Sequence, residues 1–521
     1  MSAPLSLPGL TQFLSRLEDY PRLLEAVDQG KQTIALSGLS AVHRAYLAAA
    51  LHQSTGRPLT LVCPDDGEAR RLAGDLSALT GAEVPVLPAR DFLFHPGAAS
   101  RQWEHQRLEI LARLHRGDCP VLVATVEGLL QRTMPPAVFA ASCRQLHVGQ
   151  VCQPEGLTDF LVRAGYTRCD QVEGTGQFAL RGGILDVFSP GLDLPVRMEF
   201  WGDEIDSMGL FDPGTQRRVQ NVTEALILPC AEVLPHLAEG GLPGLADAME
   251  AQAKRLRRRQ GTEKIVETVL ADAQQLRGGV LPGGLDRYLP LIHPQFTTAL
   301  DYLDPASLVF LCEGGRIDQR AKSTLLQLRQ DADTLMEAGY MAGEGADLLL
   351  SENALYAALS DFPAVMMDAL PTSRLPLKPR SLLHIDARQL SSYGGSLETA
   401  AADMEHYRKS GSGVLVLCGG ETRARNLLRI LEERGIPAVL DLEGRAMPAP
   451  GEVRLSLGTL SAGSEWPSLN LAILTEGQLL SVQRKRPARA PKESNRQKLQ
   501  SYTDLKPGDL VVHVHHGIGR F

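Results

Sequence analysis

Along the first 140 residues, short apolar runs alternate with longer segments in which apolar positions recur every three or four residues. Thr33-Ile-Ala-Leu-Ser-Gly38, Leu59-Thr-Leu-Val-Cys63 and Val121-Leu-Val-Ala-Thr125 read as strands, with a shorter one over Val84–Leu87. Apolar, non-alternating strands separated by amphipathic helices predict a parallel sheet covered by helices. Ser40 and Asp65-Asp66 stand where helix N-caps belong, the latter ahead of Leu72, Leu76 and Leu79. An irregular stretch through Phe94-His95-Pro96 precedes a helix carrying Leu108, Leu111 and Leu114.

Between about 145 and 230 the pattern shifts to alternating strands broken by tight-turn residues: Gly182-Gly183, Ser189-Pro190-Gly191 and Gly202-Asp203. That predicts a small antiparallel α+β insert. Helical periodicity returns over 231–300, and Leu308-Val-Phe-Leu-Cys312 is expected to rejoin the first sheet. A second α/β unit is expected over 350–480. It contains Val414–Cys418, a helix with Ala424, Leu427, Leu428 and Leu431 on one face, a Gly435 stop, and strands at Val453–Leu457 and Leu471–Leu474.

The expected boundaries are therefore a first α/β domain over 1–144, the insert over 145–230 and a helical and α/β return segment over 231–349. The small α/β domain over 350–480, a basic linker over 481–505 and the opening of a small β domain over 506–521 follow. The linker expectation rests on the basic, proline-containing stretch between Arg484 and Lys498. One strand cannot bury a face alone, so the chain is expected to continue past Phe521.

Composition narrows the classes. The 521 residues are 44% hydrophobic and 22% charged, which is ordinary for a globular protein of several domains. A net charge of −8 argues against a surface coated for nucleic acid and confines such contacts to local patches. The eight cysteines never form a CxxC pair, and several sit in apolar runs; reduced thiols in a cytoplasmic protein are expected. No signal peptide and no apolar window long enough for a membrane span is present, so no membrane partner is expected.

Candidate chemistry is defined largely by what the strand ends lack. A P-loop enzyme needs GxxxxGK[ST] after its first strand, so that backbone NH groups and a lysine hold the phosphates. Here that position reads Ser37-Gly-Leu-Ser-Ala-Val-His-Arg44, without the second glycine and the lysine. Gly30-Lys31 precedes the strand and is followed by Gln32. A magnesium-holding Asp-Glu pair would end a later strand, yet the best candidate ends in Cys312-Glu313. A thiol is a poor ligand for that hard cation. Ser37, Gly38, Cys312 and Glu313 therefore mark a degenerate nucleotide site, and no catalytic residue, metal or cofactor is expected in this chain. His513, His515 and His516 lack other ligands at metal spacing and read as polar strand positions. The run Lys254–Arg259 reads as a solvated helix face rather than a DNA groove.

The insert is more informative. Period two places Val196, Met198 and Phe200 inward, and Arg197, Glu199 and Trp201 on the opposite, exposed face. Arg181 stands just before the Gly182-Gly183 turn. Exposed arginine and tryptophan on a small rigid sheet have the composition of a protein-binding hot spot, although single exposed residues of these types are common.

At these residues a family resemblance emerges. Arg181-Gly-Gly-Ile-Leu-Asp-Val-Phe-Ser-Pro-Gly191, Pro195 through Asp206, and Phe211-Asp-Pro-Gly-Thr-Gln216 resemble the UvrA-binding domain shared by UvrB and the bacterial transcription-repair coupling factors. Leu87-Pro-Ala-Arg-Asp91 through Leu130-Gln-Arg132 resembles the coupling factors' first domain, and Gly508 through Phe521 the start of their RNA-polymerase-interacting domain. The chain is thus identified as similar to the N-terminal portion of that family.

The resemblance implies an α/β fold: a helicase-like parallel sheet (a degenerate P-loop fold), an inserted antiparallel α+β domain, a second α/β domain and the start of a small β-barrel. It implies that Arg181, Arg197 and Trp201 contact UvrA. It further implies binding to the RNA polymerase beta subunit through the completed β domain, and double-stranded DNA as a partner of the full-length protein. ATP and magnesium would belong to a translocase module C-terminal to this chain. Where UvrB has its aromatic hairpin, this chain has a short connector with Phe92, Phe94 and Trp103, so damage verification is not expected. Two alternatives remain: a UvrB-like ATPase with a divergent site, and a polymerase-binding transcription regulator.

Overall fold

The structure is a computed structural model and describes residues 7, 10–28, 33–92, 94, 101–258, 261–341, 347–444, 446–479, 510–513 and 517–520. The apolar runs form a seven-stranded parallel sheet. Its order is Ser381–His384, Thr33–Ser37, Ala364–Asp368, Leu308–Cys312, Leu59–Cys63, Val121–Thr125, Val86–Leu87. Leu308–Cys312 rejoins the first sheet as expected, at its centre. Alternate residues feed two cores, so that Ile34 and Leu36 pack on one face while Ala35 packs on the other. The predicted Val84–Leu87 strand shortens to Val86–Leu87. Asp65 caps its helix by accepting from the Glu68 amide, whereas the Ser40 hydroxyl bonds His43 instead of a backbone amide.

One boundary moves. Ala364–Asp368 and Ser381–His384 lie in the first sheet, so the second sheet begins at Arg388 rather than near 350. That sheet runs Arg388–Leu390, Gly463–Trp466, Leu471–Thr475, Gly413–Cys418, Val453–Leu457, Ala438–Asp441, with parallel strands from Leu471–Thr475 onward. Local periodicity could not reveal which sheet the 364–384 strands would join, because both sheets use the same buried parallel pattern.

The insert is a six-stranded sheet in the order Arg218–Asn221, Glu204–Phe211, Val196–Trp201, Ile184–Val187, Gln177–Arg181, Thr167–Arg168. It is antiparallel except for the last pair. Leu157 and Leu161 of the helix Pro154–Arg163 close its inner face. The chain enters and leaves through an antiparallel pair, Arg144–His147 with Glu224–Ile227. At the C-terminal end Leu510–His513 pairs with Gly517–Arg520, so two strands form there rather than one. Gly30-Lys31, His95-Pro96, Arg259, the 484–498 linker stretch and His515-His516 lie outside the described residues. Among the described residues, no helix is long and apolar enough to cross a membrane.

The two α/β sheets share a core. Trp466, fully buried, meets the rings of His43, Phe13 and Tyr46 edge-on at centroid distances of 4.9, 5.2 and 5.8 Å. The helix Ala41–Thr55 is therefore buried continuously from Val42 to Leu51, with the sheet on one side and the second unit on another. Beside this cluster the Asp75 carboxylate accepts from the Ser461 amide and hydroxyl, at 2.6 and 2.5 Å.

Two outcomes follow from this junction. Trp466→Ala should destabilise the protein by ~3–5 kcal/mol through the cavity it leaves, read as a lower urea midpoint. Burial raises the Asp75 carboxyl to about 6 against the lowering bonds from Ser461. A raised folded-state value means stability present at low pH and lost as pH rises through about 6. Asp75→Asn should therefore gain stability relative to the parent between about pH 4 and pH 7, and a pH-independent difference would refute this.

Candidate functional site

The outer face of the insert is built by cross-strand register. Arg181 lies opposite Ile184, Ile184 opposite Glu199, and Glu199 opposite Ser207, forming one row across four strands. The adjacent row holds Ala179, Asp186, Arg197 and Gly209. Asp186 is fully buried and receives Arg197 Nε at 2.7 Å and Nη2 at 2.8 Å, while Arg181 Nη2 reaches it at 3.0 Å. Arg197 also donates to the Gln216 carbonyl at 3.2 Å and lies over the Phe211 ring at 4.4 Å. These bonds, led by Asp186, raise the Arg197 guanidinium above its ordinary range.

The structure thus separates residues that the alternation grouped together. Trp201, at the end of its strand, is 83% exposed, and the Arg181 side chain is 50% exposed. The Arg197 side chain is 17% exposed and is occupied in clamping Asp186. The expectation that Arg197 is exposed on this face together with Glu199 and Trp201 is corrected at Arg197, which is largely covered. The cause is a cross-strand partner, invisible to periodicity within one strand.

Residues not singled out from the sequence complete the face. Arg218 lies flat across Gly209, where an added Cβ would come within 2.5 Å of its Nε. It donates to Glu199 at 3.2 Å and to Ser207 at 3.1 Å. Val219 and Ile184 are exposed apolar positions. Only the Arg217-Arg218 pair following Gln216 signalled extra charge here. The result is a rigid, arginine-rich surface bearing an exposed indole, suited to burying an aromatic anchor against a partner.

At the first sheet, the Ser37–Arg44 turn is filled from within. Gly38 has φ +91°, and a Cβ there would lie 2.0 Å from the Ile385 carbonyl oxygen. Ser37 Oγ and His384 Nδ1 are 3.0 Å apart. Arg44 is buried and donates to Glu68 at 2.8 Å, to Glu313 and to the Leu39 carbonyl. Arg316 holds Glu68 at 2.7 Å and Asp65 at 2.9 Å. Cys312 is buried, and its hydrogen bond with Cys63, followed by burial, pushes the Cys63 thiol well above its usual range. Ser37-Gly38 and Cys312-Glu313 end two strands that Ala364–Asp368 separates in the sheet, and the charges of Arg44 and Glu313 are paired with each other. Among the described residues, no group of three or more His, Cys, Asp or Glu side chains could hold a metal ion.

Residues 145–232 match the family model described as the UvrB interaction domain. The chain is similar along 99% of its length to the transcription-repair-coupling factor of Bacillus subtilis strain 168, at 27% identity. The Staphylococcus haemolyticus transcription-repair-coupling factor is likewise 27% identical over 94% of the chain. The chain spans less than half of these relatives, 44% and 42% of their lengths. The resemblance carried by residues 181–216 agrees with these matches.

Removing Arg197 would leave the Asp186 carboxylate buried with only the half-exposed Arg181 as its cation. Arg197→Ala should therefore destabilise the insert by ~3 kcal/mol, seen as a lower denaturation midpoint; a variant as stable as the parent would show that the clamp is dispensable.

Proposed function

We propose that this chain, similar throughout to the N-terminal portion of the transcription-repair coupling factors, is a recruitment scaffold that docks UvrA. The observation that carries the reading is the outer face of the insert, with half-exposed Arg181 and almost fully exposed Trp201 beside the buried Asp186–Arg197 clamp. In this reading Arg181 and Trp201 touch UvrA. Arg197 is a positioning residue: it fixes Asp186, which in turn holds Arg181.

The remaining assignments belong to the longer protein. The strands Leu510–His513 and Gly517–Arg520 open the domain that binds the RNA polymerase beta subunit. Double-stranded DNA, ATP and magnesium are handled by a translocase module C-terminal to this chain. The Ser37–Arg44 turn is a nucleotide site in outline only. A phosphate there would have to displace the Ile385 carbonyl from Gly38 and compete for Arg44, which already serves Glu68 and Glu313.

Trp201→Ala and Arg181→Ala should each weaken UvrA binding by ~2 kcal/mol, about thirtyfold, in isothermal titration. Leu326→Ser, an exposed position on the distant helix Gly314–Ala338, serves as control. Unchanged affinity in both arginine and tryptophan variants would remove the assignment of this face. Titration of the chain with ATP and magnesium should give no binding heat; micromolar binding would restore the divergent-ATPase reading.

A further inference from the structure

The Ser381–His384 strand ends the seven-stranded sheet and, among the described residues, pairs only with Thr33–Ser37. Its register places Leu383 opposite Leu36, on the face of the first core, and Leu382 opposite Ala35, on the other face. Among the described residues Leu382 is left 75% exposed. Leu370, in the loop after Ala364–Asp368, is 76% exposed. The Arg380 amide donates to the Thr33 carbonyl. At the other end the Ile385 amide donates to the Ser37 carbonyl, so by alternation back along the strand the amides of His384 and Leu382 point away from the sheet.

An open edge beside exposed leucines invites strand addition unless charge guards it. The charge here has one sign. Residues 369–384 contain Arg374, Lys378 and Arg380 and no acidic residue, within a chain of net charge −8. All three cations are exposed, and none makes an ion pair among the described residues. The acidic residues flanking the segment are committed, Asp368 to the Gly314 amide while Asp386 faces Arg388 at 3.8 Å, and Glu313, which accepts from the Ala369 amide, is paired with Arg44.

We propose that this edge is a second docking surface, taking an extended acidic peptide segment of a partner protein as an added strand. Backbone pairing with the outward amides supplies affinity. Acidic side chains meet Arg374, Lys378 and Arg380, and an apolar side chain covers Leu382. A nucleic-acid strand would use the cations but leave the open backbone edge and the leucines unmet. The proposal does not depend on the UvrA reading.

The test is fluorescence anisotropy of the intact chain with a short labelled peptide alternating glutamate and valine. Saturable binding is expected, weakened at least tenfold by Arg374→Glu/Lys378→Glu/Arg380→Glu and severalfold by Leu382→Ser. The unaltered chain should fail to bind the same peptide N-methylated at alternate residues, which cannot add as a strand. Absence of saturable binding, or equal binding of the N-methylated peptide, would overturn the proposal. So would oligothymidylate binding more tightly than the peptide. Self-association in sedimentation that Leu382→Ser abolishes would assign the edge to a second copy and overturn it equally.

Discussion

Glu232 has no exposed surface, and the first domain is organised around neutralising it. Burial pushes its carboxyl up, but Arg107 and Arg90 outweigh that, and it is held below the ordinary range. Arg107 Nε donates at 2.7 Å, the Thr133 hydroxyl at 2.7 Å, and Arg90 Nε stands at 3.4 Å. Arg90 in turn reaches Asp286 at 2.9 Å, while the Glu232 amide donates to Glu104. The carboxylate thus ties the end of the insert to the helix Gln102–His115, to the loop after Val86–Leu87 and to the helical return segment. Losing one partner of such a buried set costs ~3–5 kcal/mol, so the insert's exit is fixed by electrostatics as well as by packing.

The same device recurs within the insert. Asp186 is buried and receives Arg197 in a two-point contact, with Arg181 completing its coordination from the exposed side. A partner meeting this face finds Arg181 already oriented and spends less side-chain entropy in fixing it. Arg218, lying flat over Gly209 and bonded to Glu199 and Ser207, extends that order across the sheet.

The first sheet and the second are joined through the rings around Trp466 and the Asp75–Ser461 contact. This continuous apolar core between the sheets resists their movement relative to one another. At the strand ends of the first sheet, Arg44, Glu68, Glu313 and Arg316 satisfy one another's charges. The shared core and the Asp75–Ser461 contact hold the two sheets in a fixed relation.

Much of this was legible in residue order. Buried parallel strands must be apolar on both faces, so Leu59–Cys63, Val121–Thr125, Leu308–Cys312 and Val414–Cys418 could be read from local composition. Turn glycines and period-two alternation likewise disclosed the insert. What no local pattern could decide was pairing at long range. Ala364–Asp368 enters the first sheet between Thr33–Ser37 and Leu308–Cys312, moving the boundary to Arg388. Ser381–His384 becomes an edge, and Arg197 turns inward because Asp186 lies across the register from it. Periodicity reports which side of its own strand a residue occupies; only the folded chain places a neighbour there, and that neighbour decides whether an arginine is a clamp or a contact.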